Sequence, residues 1–145
     1  MPILYHGTSD VRLKGIKDQG LARSEECPVR QFSCPPGIYL AQSITEAMFF
    51  AESAVEHDTH FLKEDPSKHR VAILRMRSES IPSDCCVQFD NQFDGALRLS
   101  NCTSIPPRAI EVCELPARPK WGSSPAMAQI IRDACDWHPL QGGKA

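Results

Sequence analysis

Four residues near the middle of the chain, Ser43-Ile44-Thr45-Glu46, do more than any others to limit the folds open to it. A serine followed three residues later by glutamate can satisfy, reciprocally, the amides that a helix start leaves without partners. Beyond this box Ala47, Phe50, Ala51 and Ala54 recur at helical spacing, so the spacing predicts a helix from about Ile44 to Glu56 with one apolar face. Just before it, Gly37-Ile38-Tyr39-Leu40-Ala41 is a short apolar run that reads as a strand.

The remaining elements follow from the same periodicities. Ile3-Leu4-Tyr5-His6 reads as a strand that ends in the turn Gly7-Thr8-Ser9, which puts His6 at a strand end. Ser9 or Asp10 can cap a short helix to about Gln19, with Val11 and Ile16 inward and Gly20 as the left-handed residue that stops it. Residues 21 to 36 form a long irregular connection, and 57 to 70 a charged loop containing Asp65-Pro66-Ser67. Val71 to Met76 is apolar on both faces, as a central strand requires, and Leu97 to Leu99 is a short strand. Ala109 to Leu115 sets Ile110 and Val112 against Glu111 and Cys113 as a final strand. Ser124 as N-cap and Pro125 at the first helical position open a last helix, with Met127, Ile130, Ile131 and Ala134 on one face. Nothing repeats internally, so the chain is an α+β class domain over residues 1–139, with 140–145 a flexible tail.

Composition excludes several function classes. A chain of 145 residues can bury a core without metals or disulfides, and 41% apolar with 23% charged residues is not the balance of a disordered segment. A formal charge of −2 gives no general affinity for nucleic acid, and Arg12, Lys14, Lys17, Arg23 and Arg30 read first as scattered surface charge. No apolar run is long enough to span a membrane, and the N-terminal residues lack the pattern of a signal peptide, so a cytoplasmic protein is expected. The seven cysteines include no C-x-x-C pair and read as reduced thiols, with Cys85 and Cys86 on opposite faces of a strand. The five histidines complete no tetrahedral set with them, so no metal is expected.

Two local signals remain: Tyr5-His6-Gly7-Thr8-Ser9, and, after a helix-sized spacer and Gly20-Leu21, Gly37-Ile38-Tyr39-Leu40-Ala41 followed by the capped helix with Ala47, Phe49, Phe50 and Ala51. Over about residues 3 to 54 this pattern resembles the ADP-ribosyltransferase superfamily, on its poly-ADP-ribose polymerase-like (His-Tyr-acid) branch. The resemblance implies a split mixed β-sandwich with short flanking helices and a C-terminal helix, and a pocket for NAD. It gives His6 to the adenosine-side ribose, the Gly7 backbone to the nicotinamide carboxamide, and Tyr39 to the nicotinamide ribose. It places Thr8 and Ser9 beside them, and Phe50 where relatives stack a second aromatic on nicotinamide. Relatives carry a serine on the following helix, where this chain has Ala47. The roles suit the residue types: an imidazole orients a hydroxyl, a glycine admits a planar amide, and a tyrosine offers an apolar face with a polar tip.

Breaking the nicotinamide bond builds positive charge on the ribose, which a carboxylate stabilises. In Phe89-Asp90-Asn91-Gln92-Phe93-Asp94-Gly95, Gln92 and Asp94 loosely match the Gln-x-Glu pair of other transferases, so Asp94 is the candidate catalytic acid beside His6 and Tyr39. Taken alone, Asp94-Gly95 is also an ordinary turn pair. The activity implied is that of a small bacterial or phage mono-ADP-ribosyltransferase. Such an enzyme moves ADP-ribose from NAD to a macromolecular acceptor, protein ahead of nucleic acid, and relatives of this kind can have a neutralising partner protein. Two alternatives stand beside it: a silent NAD- or ADP-ribose-binding module, and an NAD-dependent RNA 2′-phosphotransferase, whose added arginine and histidine motifs are absent here.

Overall fold

The computed structural model describes residues 3–22, 37–83, 85–89, 96–100 and 104–141. Among these, nine strands and three α-helices form an α+β domain. The strands are β1 (Ile3–Ser9), β2 (Leu21–Ala22), β3 (Ile38–Ala41), β4 (Arg70–Arg77), β5 (Cys86–Phe89), β6 (Ala96–Ser100), β7 (Ser104–Ile105), β8 (Glu111–Pro116) and β9 (His138–Pro139). Seven of them make one sheet in the order β5-β6-β3-β1-β4-β8-β9, and β2 pairs with β7 apart from it. Each pairing among the described strands is antiparallel, where the resemblance implies a mixed sheet.

Side-chain alternation along the strands divides the core into two layers. Ile38, Leu40, Ala72, Leu74, Leu97 and Leu99 pack on one face with Leu13 and Ile16 of α1 (Leu13–Gln19). On the other face Ala41, Val71, Ile73, Cys113 and Leu115 pack against Ala47, Met48, Ala51 and Val55 of α2 (Ile44–Leu62), and against Ile131 of α3 (Ala128–Ala134). Strand β4 contributes to both layers, which accounts for its unbroken apolar sequence.

Half of the predicted capping box is present: Ser43 caps the Glu46 amide, but Glu46 meets the Ser43 hydroxyl and not its backbone amide. The Ser43 hydroxyl accepts the Glu46 amide at 3.2 Å and itself donates to the Glu46 carboxylate at 2.8 Å. The helix it opens runs beyond the predicted end at Glu56 to Leu62, through a stretch that the sequence marks as a loop. Two buried polar side chains explain the extension. The Thr59 hydroxyl donates to the Val55 carbonyl at 2.7 Å, and Asp58 anchors the helix to the end of β1. Lys63, in the left-handed conformation at φ 58°, closes it.

Other boundaries also move. The expected turn at Gly7-Thr8-Ser9 is strand, since β1 pairs with β4 from Ile3↔Arg77 to Ser9↔Val71. The helix expected from Asp10 begins as a 3-10 turn over Asp10–Arg12, which leaves Val11 exposed and makes Leu13 the inward partner of Ile16. Gly20, at φ 83°, ends it as expected, and its α-carbon lies so close to β7 that an added Cβ would meet the Ile105 carbonyl at 2.3 Å. On the last helix only Ile131 of the predicted apolar face is fully buried; Ile130 and Ala134 face outward. Leu140, assigned from sequence to a flexible tail, is 1% exposed in the core, and its amide donates to the Ile110 carbonyl at 3.0 Å. Cys85 is disulfide-bonded, against the expectation of reduced cysteines, whereas Cys113 and Cys135 are free thiols. Among the described residues no helix is long and apolar enough to cross a membrane.

Candidate functional site

The two halves of the sequence signal meet where β1 and β3 part. Strand β1 is paired along its whole length with β4, but its register with β3 is the single pair Tyr5↔Ala41. One residue beyond that pair, His6 Nδ1 lies 2.7 Å from the carbonyl oxygen of Tyr39, 33 residues away in sequence. A carbonyl only accepts, so Nδ1–H donates and Nε2 is the ring's acceptor. Burial lowers the His6 pKa below 6.5; the bond to Tyr39 opposes this and the positive charge of Arg12 adds to it. The imidazole is therefore neutral at pH 7, in a tautomer able to accept a hydrogen bond from a hydroxyl. His6 is inside β1, not at its end as the sequence suggested.

The glycines have a packing role. A Cβ on Gly7 would stand 1.8 Å from the Ala47 carbonyl oxygen and 2.6 Å from the Ala51 nitrogen, so α2 lies directly on β1 at this residue. The missing side chain first serves this helix–strand approach, whatever the Gly7 backbone offers to a ligand. Gly37 likewise abuts β6, where a Cβ would meet Arg98 Cγ at 2.8 Å. Tyr39, opposite Arg98 in the β3–β6 register, is buried, as is Phe50, whose ring meets that of the exposed Phe49 edge-on at 5.5 Å.

Thr8 and Ser9 follow Gly7 on β1. Both are fully buried, and the Ser9 hydroxyl donates to Asp58 of α2. Arg12 adds a two-point bridge to the same carboxylate, Nε at 2.8 Å and Nη2 at 2.7 Å, and His57 Nδ1 lies 3.2 Å from it. Burial on its own would raise the Asp58 pKa, but the hydrogen bonds from Arg12, Ser9 and His57 lower it to about 2. The sequence reading missed Asp58 because it fell in the supposed loop; its spacing from Ala51, Ala54 and Val55 continues the helix period. Asp94 and Gln92 lie outside the described residues, as do Arg23 and Arg30. Among the described residues no group of three or more His, Cys, Asp or Glu side chains is placed to hold a metal ion.

Compared with protein-family models, with curated proteins and with solved structures, the chain matches none.

Proposed function

We propose that the protein is an NAD-dependent mono-ADP-ribosyltransferase. It would bind NAD where β1 and β3 diverge and pass ADP-ribose to a macromolecular acceptor, protein ahead of nucleic acid, with release of nicotinamide. The observation that carries this reading is the His6–Tyr39 contact at 2.7 Å, which joins two motifs far apart in sequence at a gap in the sheet. A neutral His6 accepts a ribose hydroxyl at Nε2, Tyr39 and Phe50 supply aromatic surface for the nicotinamide end, and Gly7 presents backbone to the carboxamide. Asp94 is assigned the carboxylate that stabilises charge on the ribose. Ser9 is left out of the contact set, because its hydroxyl serves Asp58. A cytoplasmic location is the part of the reading that the Cys85 disulfide weighs against.

A second reading, an NAD- or ADP-ribose-binding module that does not transfer, draws support from the described acids. Asp58 is held by Arg12 and Ser9, Glu56 by Arg118 and Lys120, and Glu52 by the Trp121 amide. Nicotinamide release from NAD, measured on wild type, His6→Ala, Tyr39→Ala and Asp94→Ala, separates the two. A transferase loses roughly 100-fold or more in each variant, the scale of a lost transition-state contact. Binding of NAD with no nicotinamide released would establish the silent module, and full activity in His6→Ala would overturn the site.

A further inference from the structure

Side chains alternate along β1, so Ile3 and Tyr5 face away from His6, on the side of the sheet where Gly7 and Ser9 meet α2. Gly7 lies against Ala47 and Ala51, and Ser9 reaches Asp58, so the helix advances along β1 towards Ser9 and leaves the start of the strand uncovered. Tyr5 is half-buried there and Ile3 is 38% exposed. The register sets two arginines of β4 opposite them, Arg75 across from Tyr5 and Arg77 across from Ile3. Arg75 is held in place: its guanidinium lies 4.3 Å from the centroid of the Trp137 ring, and its Nε donates to Glu111 at 2.8 Å. The side chain is still 33% exposed, and its two Nη nitrogens make no hydrogen bond or ion pair among the described residues. The same is true of the whole guanidinium of Arg77, which is exposed.

We propose that this shelf binds an extended acidic segment of a partner protein, laid along β4 with carboxylates on Arg75 and Arg77. The charges and their spacing are complementary. Arg75 and Arg77 are alternate residues of one strand, so they stand about 6.6 Å apart on one face, and carboxylates at alternate positions of an extended peptide repeat at the same distance. A guanidinium with open N–H groups receives a carboxylate through charge-assisted bonds. Trp137 and Glu111 already fix Arg75, so little side-chain freedom is lost when a ligand arrives. Ile3 and Tyr5 add apolar surface beside the two charges. The attraction is local, since the chain as a whole carries a formal charge of −2. Nucleic acid fits the shelf less well. Trp137 carries Arg75 on its ring face and Tyr5 packs against the layer under α2, so the aromatic surface on which a base would stack is in use. The Glu111 carboxylate, 46% exposed, also repels a continuous run of phosphates, whereas separate carboxylates can lie to either side of it. The shelf shares no residue with the His6–Tyr39 gap, so it stands whether or not NAD binds there.

Fluorescence anisotropy on the full chain tests this, with three labelled probes: a short peptide alternating glutamate and threonine, the same peptide with glutamine for glutamate, and a single-stranded oligothymidylate. The glutamate peptide should bind best, and its affinity should fall as salt is added. Arg77→Gln should weaken it about tenfold, the scale of hydrogen bonds to a charged group. Arg77 is exposed and holds no other element, so the variant should keep the wild-type Tm, and Arg75→Gln should repeat the loss of binding. Three results would overturn the proposal: no binding of the glutamate peptide to wild type, equal binding of the glutamine peptide, or full affinity in Arg77→Gln. Tighter binding of the oligothymidylate, lost in Arg77→Gln, would overturn it in favour of a nucleic-acid site.

Discussion

The His6 and His69 pKa values move in opposite directions, because burial outweighs the hydrogen bond at His6 whereas carboxylates meet both ring nitrogens of His69. His69 Nδ1 lies 3.0 Å from Asp10 and Nε2 2.7 Å from Glu64, and Asp10 also accepts the Arg70 amide at 3.1 Å. The bond to Asp10 raises the His69 pKa above 6.5, burial works against it, and Glu64 adds to the rise. A folded-state pKa above the unfolded value gives stability that is full below about pH 6.5 and disappears as pH rises through the folded value. Wild type should therefore exceed His69→Gln in Tm at pH 6, and the gap should narrow by pH 8.5; an unchanged gap would mean that the two contacts are neutral. His6 behaves inversely: its lowered pKa gives stability that is full above 6.5 and falls away in acid, so affinity for a ribose hydroxyl should also decline there. Asp58 sets the acid limit of the α2 anchor. Its contribution is present above the ordinary aspartate value of 3.8 and is lost as pH falls towards about 2. Replacing it with asparagine removes the charge that accepts from the buried Ser9 hydroxyl and from Arg12, and should cost about 2 kcal/mol in urea unfolding at pH 7.

The elements show where sequence suffices and where it does not. The start of α2 was legible because its signal is local: Ser43 is the cap, and Ala47 and Ala51 of the predicted face pack on the sheet, joined there by Met48 and Val55. Its end was not, because residues 57 to 60 are polar and their helical state depends on partners distant in sequence, Ser9 at the end of β1 and Arg12 in the 3-10 turn after it. Strand β1 was cut short for a related reason. Gly7-Thr8-Ser9 has the composition of a turn, yet seven residues of pairing with β4 override that local preference. Ser9 was accordingly drawn towards the pocket, although its hydroxyl serves Asp58. The close seating of α2 on β1 yields a direct test. Gly7→Ala places a methyl against helix backbone, at 1.8 Å from the Ala47 oxygen, and that backbone has no rotamer with which to yield. A loss of about 3 kcal/mol in chemical denaturation is expected; a neutral result would show that α2 can lift from the strand.

At the scale of the whole molecule the α+β class was legible, whereas the approach of His6 to the Tyr39 carbonyl followed from no pattern in the residues themselves, only from the family resemblance. What closes the fold was not legible either. The loop after β8 is held to α2 by Glu52, which accepts the Trp121 amide at 2.7 Å, and by Glu56, which meets Arg118 and, at 3.4 Å, Lys120. These are ion pairs and backbone contacts between segments more than sixty residues apart, and no periodicity announces them. The C-terminal end is the clearest case. His138–Pro139 adds a seventh strand to the sheet beside β8, and this brings Leu140 under Ile110 in the layer that also holds Leu4, Leu74 and Val112. A single leucine after Pro139 looks like tail because one apolar residue defines no period; only the β8–β9 pairing makes it core. Leu140→Ala should therefore behave as a core truncation, costing about 3 kcal/mol of unfolding free energy. Ile130→Ala, on the outward face of α3, should change stability by only about 0.5 kcal/mol, although sequence periodicity ranked Ile130 as core and Leu140 as tail. Urea denaturation of the two variants side by side decides the matter. Equal small losses would mean that β9 does not hold the last turn of chain against the sheet, and a larger loss at Ile130 would reverse the assignment of faces on α3.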